Sequence, residues 1–109
     1  MRTFTYRAML EPGERDGIIV VGFPDVPEAI TEGDGDADAL RAAEDALGAA
    51  LLSYPLRGLP LPKALARKGH AVTVAPEVAA KLAVLEAFAA SGISKSELAR
   101  RLRVSENEA

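Results

Sequence analysis

The sequence predicts an α+β domain: three antiparallel strands, a helix and a fourth strand, followed by further helix. Three observations carry this expectation. Apolar residues alternate in the strand period over 3–10, and a β-branched run fills 18–23. Between 37 and 54 the apolar period lengthens to that of a helix. Clusters of Pro and Gly fall between these stretches.

In TFTYRAML (3–10), Phe4, Tyr6, Ala8 and Leu10 share one face and Thr3, Thr5, Arg7 and Met9 the other. EPGERDG (11–17) is a turn, punctuated by Pro12-Gly13 and Asp16-Gly17. IIVVGF (18–23) is apolar on both faces, which predicts a central strand paired antiparallel to the first. Pro24 and Pro27 end it, because proline donates nothing to a ladder. AITEG (29–33) reads as a short third strand, and Gly33-Asp34-Gly35 turns the chain.

Asp36 is placed to cap the next helix. From Ala37 to Tyr54, Leu40, Ala43, Leu47, Leu51 and Tyr54 form one apolar stripe, and the helix is expected to stop before Pro55. RGLPLP (57–62) is an extended link, since each proline pushes the residue before it out of the helical region. HAVTVA (70–75) is a short fourth strand at the end of the sheet. It follows a helical crossover, which predicts a parallel neighbour. Pro76 suits a helix first turn, Val78, Leu82, Leu85 and Phe88 give the stripe, and Gly92 terminates it. That stripe has little local core to cover it, which points to self-association. A domain boundary is expected near 75–77, dividing 1–75 from a C-terminal helical segment, 76–109.

The 109 residues include no cysteine, which excludes disulfides, thiolate metal sites and a cysteine nucleophile. MRTFTYRAML lacks the apolar core of a signal peptide, and no apolar run approaches a membrane span, so an intracellular, cytoplasmic chain is expected, with no membrane contact. Net charge is −3, unevenly spread: residues 1–62 hold 5 basic and 11 acidic side chains, residues 63–109 hold 8 and 5. The acidic front favours a basic partner, and the basic tail permits contact with nucleic acid.

ISKSELARRLRVSENEA (93–109) carries two capping boxes, Ser94 with Glu97 and Ser105 with Glu108, around ELARRL. That is the start of a helix-turn-helix. Its reading helix would begin near Glu106, three residues before the sequence stops, so this tail reads as a truncated DNA-binding domain. Lys95, Arg100, Arg101, Arg103 and Ser105 are left as weak, salt-sensitive phosphate contacts.

Catalysis is not expected. His70 is the single histidine, so no Ser-His-Asp set beyond it can assemble. The aspartates Asp16, Asp25, Asp34, Asp36 and Asp38 fall in turns, and strands 3–10 and 18–23 hold no acid to converge on a metal pair. No cofactor or metal is implied.

YRAML (6–10), DGIIVVGFPDVPEAITEGDGDADALRAAEDAL (16–47) and GLPLPKA (58–64) together resemble the HicB-type antitoxins of toxin–antitoxin pairs. The ordered set is Tyr6, Phe23-Pro24-Asp25, Thr31 with Gly33-Asp34, an alanine-rich helix and Leu59-Pro60-Leu61-Pro62. The resemblance implies a small, incomplete RNase-H-like domain used without catalysis. It implies a HicA-type toxin as partner, a small basic RNA-cleaving protein whose active face the antitoxin covers. It also implies repression of the operon's own promoter through the tail; paired operator half-sites, with the uncovered stripe, then point to a homodimer or higher oligomer. Charge alone points to Glu14, Asp16, Asp25 and Glu28 as the toxin contact. The competing expectation is a helix-turn-helix regulator without a toxin, its front domain serving dimerisation or a ligand.

Overall fold

The computed structural model describes residues 2–91 and Arg100. Six elements follow in order: β1 (Thr5–Pro12), β2 (Ile18–Gly22), β3 (Ile30–Asp34), α1 (Asp36–Leu56), β4 (His70–Thr73) and α2 (Pro76–Ser91). The α+β expectation holds. The strands form one antiparallel sheet in the order β3-β2-β1-β4.

The period-2 pattern in β1 does what it predicts. Phe4, Tyr6 and Ala8 are buried, while Thr5, Arg7 and Met9 are exposed. β2 lies inside the sheet between β1 and β3, as its two apolar faces require. Phe23, just past its end, is core. Both helices lie on the face that carries these buried residues. Ala39, Ala43, Leu47 and Leu51 of α1 and Ala79 and Leu82 of α2 join Val21, Phe23, Val26, Val72 and Val74 in a single core.

The passage from β3 into α1 is tight. A side chain at Gly33 would put its Cβ 2.3 Å from the Ala39 backbone nitrogen, so only glycine lets the helix start lie on the strand. Gly35, at φ +83°, makes the turn, and its N–H donates to the Gly17 carbonyl at 2.8 Å. That bond ties the start of α1 to the β1–β2 turn.

Four expectations need correction. Asp36 does not cap α1; Gly35 holds the N-cap position without a side-chain bond, and Asp36 and Asp38 lie in the first turn. There their charge complements the helix dipole, and Asp38 Oδ2 accepts the Asp34 N–H at 2.9 Å. α1 also runs through Pro55 to Leu56. Proline so near the end removes a single donor, and Arg57 closes the turn with bonds to the Ser53 and Tyr54 carbonyls.

Third, β4 pairs antiparallel with β1, not parallel: Thr5 faces Thr73 and Ala8 faces His70. The crossover is not helix alone. Residues 57–69 follow α1 as an extended link that doubles back before β4 begins. Fourth, the α2 stripe is not left uncovered. Leu82 and Leu85 are buried, and Val78 packs on the core beside α1. Arg2 holds α2 from the other end of the chain, 3.1 Å from Glu86, with its guanidinium over the Phe4 ring.

Candidate functional site

Among the described residues, helices cover one face of the sheet and leave the other bare. An antiparallel sheet with one face in water ordinarily alternates apolar-in and polar-out. Here several outward positions break that rule. The register sets Met9, Gly22 and Ile30 side by side across β1, β2 and β3. The next row holds Glu11, Val20 and Glu32, and the row beyond pairs Ile18 with Asp34. Met9 is 43% exposed and Ile30 68%, values more usual for polar side chains.

Gly22 makes a trough in this face. A Cβ added there would meet nothing within 4 Å. Met9, Phe23, Pro24, Pro27 and Ile30 surround it in a shallow depression of about 350 Å³. Further depressions continue along the face, past Glu11 and Val20 to Glu14, Arg15 and Ile18. Contiguous exposed apolar surface on a small domain marks a place where something docks.

The charge along the face is mostly negative. Glu11 and Glu32 flank Val20, and Asp34 and Glu14 stand exposed at the β1–β2 turn end. Arg15 reaches Glu32 at 3.7 Å, but both side chains are more than half exposed and such a pair is worth little. Among the described residues, no three His, Asp or Glu side chains gather to hold a metal ion. His70 is exposed at the entry to β4.

The four acids expected from charge do not form one cluster. Glu14 and Asp16 are exposed in the β1–β2 turn. Asp25 and Glu28 lie in the β2–β3 loop, beyond the opposite end of β2, roughly 17 Å away at strand rise. These last two have internal partners. Asp25 Oδ2 accepts the Ala66 N–H at 2.8 Å, which fastens the 57–69 link to the loop. Glu28 accepts the Tyr54 hydroxyl and so holds the loop to the end of α1. Tyr6 completes the clasp by donating its hydroxyl to the Pro62 carbonyl.

Both hydroxyls are harder to ionise than a free tyrosine. For Tyr6 the chief cause is burial, reinforced by the negative charges of Glu86 and Asp25. For Tyr54 it is the bond to Glu28, which a phenolate could not make.

Sequence reasoning passed over Glu11, Glu32, Met9 and Ile30. The signal was there: strand parity places Glu11 with Met9, and among the described residues no second helical layer covers β2's second apolar face. Of the tail residues assigned to phosphate, Arg100 is exposed. Lys95, Arg101, Arg103 and Ser105, with the helix-turn-helix itself, lie outside the described residues.

No protein-family model matches the chain. Individual proteins do. Antitoxin HicB of Escherichia coli (strain K12) is 40% identical over 99 residues, spanning 89% of this chain and 71% of that protein. Antitoxin HicB 1 of Photorhabdus laumondii is 38% identical over 110 residues, covering 99% and 69%. Antitoxin HicB of Pseudomonas fluorescens is 37% identical over 98 residues, covering 87% and 67%.

Proposed function

We propose, since the chain belongs to the family of HicB antitoxins, that residues 1–75 bind a small HicA-type RNA-cleaving toxin and cover the surface on which it holds RNA. The fold is read as the incomplete RNase-H-like domain of such antitoxins, used as a binding surface rather than for catalysis. The observation that carries the reading is charge. The front of the chain has 11 acidic against 5 basic side chains over residues 1–62. A protein that grips RNA phosphates must be basic, so an acidic domain attracts it and competes with RNA for the same surface. Of the acids first singled out, Glu14 and Asp16 are free to meet the toxin in this reading, while Asp25 and Glu28 support the loop beside it.

Residues 76–109 supply the second half of the proposal. With a complete reading helix they bind the operon's promoter and repress it in the cytoplasm, as a two-fold homodimer or higher oligomer matched to paired half-sites. Lys95, Arg100, Arg101, Arg103 and Ser105 then contact phosphates, so this binding weakens steeply with salt.

The test is a titration of the purified chain into the small basic protein encoded beside it, with RNA cleavage as readout. Cleavage that falls to zero at a fixed stoichiometry supports occlusion. Tight binding with cleavage intact, or no binding, overturns it; the second outcome favours a regulator without a toxin.

A further inference from the structure

We propose that the toxin seats on the bare sheet face through a paired contact: an apolar side chain in the trough over Gly22, and a lysine or arginine between Glu11 and Glu32. This rests on the antitoxin reading and assigns it a surface, an occupant and a spacing.

The trough has the shape for the first contact. Met9 and Ile30 stand on either side of Gly22 in one cross-strand row, and apart from Gly22 and its two chain neighbours no described residue has an atom within 4 Å of the space a Cβ would fill. Neighbouring strands are ~4.8 Å apart, so the two walls are roughly 10 Å apart, room for one side chain to drop between them. Both walls are apolar and substantially exposed. Among the described residues, α1 and α2 are both committed to the opposite face and leave these walls uncovered, and a partner from outside supplies the cover.

The next row supplies the charge. Glu11 and Glu32 stand one strand to either side of Val20. Two carboxylates at about 10 Å repel only weakly through water at physiological salt. A cation placed between them gains from both. Among the described residues Arg15 pairs with Glu32 and not with Glu11, and from an exposed position it yields readily to a competitor. The rows are two residues apart along the strands, roughly 7 Å. The partner must therefore present an apolar residue and a basic residue at about that separation. Alternate residues of a strand do so, as do residues one turn apart on a helix. A basic RNA-cleaving protein has the charge; a second copy of this acidic domain does not.

Glycine at the trough allows a test that leaves the fold intact. Gly22→Val fills the space with a residue that favours strands, and nothing stands in its way. Binding of the full chain to the adjacent toxin is measured by calorimetry for the wild type, Gly22→Val, the double variant Glu11→Lys/Glu32→Lys, and Asp45→Lys on the helical side. Thermal melting is recorded for each. The expected result is affinity at least about tenfold weaker for Gly22→Val with its melting temperature kept or raised. The double charge reversal also weakens binding and flattens its salt dependence, whereas Asp45→Lys stays within about twofold.

If wild type binds and the face variants bind equally well, the face is wrong and the antitoxin reading stands. If wild type does not bind at all, the reading fails and takes the face with it. A chain that is dimeric alone, and that Gly22→Val converts to monomers, shows the face is occupied by a second copy and overturns the proposal.

Discussion

The two faces of this sheet are built from the same four strands under different rules. On the covered face, Tyr6, Ala8 and Val21 meet Ala39, Ala43 and Leu47, and every neighbour constrains the next. On the bare face, Met9, Val20 and Ile30 touch water, and Gly22 leaves a gap that no element among the described residues fills. The covered face is specified by stability. The bare face would be more soluble with polar residues at the same positions, so its composition answers to something outside the fold.

That contrast can be broken by substitution, the largest effect first. Leu47→Ala removes a fully buried side chain and should lower unfolding free energy by about 2–5 kcal/mol in urea titrations. Ile30→Ser, at 68% exposure, should stay within about 0.5 kcal/mol in the same assay while weakening partner binding. Equal stability losses for the two would abolish the distinction.

The glycines sharpen it further. Gly33→Ala drives a Cβ into the Ala39 backbone and should cost about 1–3 kcal/mol. Gly22→Ala should be neutral or mildly stabilising, because it meets only solvent. Asp25→Ala releases the Ala66 N–H and should cost about 1–2 kcal/mol. Limited proteolysis should then cut within 57–69, a segment no helix or strand protects.

The smallest effect is alkaline. Tyr6 and Tyr54 hold their protons more tightly folded than unfolded, so the unfolded chain loses them first as pH rises through about 10. The stabilisation is complete below that value and declines above it, until the folded groups ionise as well. Tyr6→Phe with Tyr54→Phe should flatten the fall in melting temperature between pH 9 and 11. A fall of unchanged slope would assign it to other groups.

Much of the covered face was legible in the sequence, because burial imposes a period. The alternation at Phe4, Tyr6 and Ala8 and the stripe through Ala43, Leu47 and Leu51 named the core without any structure. What local pattern could not convey was direction and partnership. Nothing in HAVT says which way β4 runs, since that depends on the path of the 57–69 link and its clasps to Tyr6 and Asp25. Reading acids by charge alone grouped Glu14 and Asp16 with Asp25 and Glu28, which the fold places at opposite ends of β2. Reading them by strand parity would have found Glu11 and Glu32 instead.

The pairing of β1 with β4 has a consequence for birth on the ribosome. Thr5 finds Thr73 across most of the domain, so the pair closes late in synthesis. At about 5–20 residues per second, the edge of β1 waits roughly 3–12 seconds for its neighbour to emerge. During that interval an unpaired strand edge is open to any passing chain. The hairpin of β1 and β2 and the packing of α1 have to form first and shield the apolar side, leaving the short edge strand to seal the domain last.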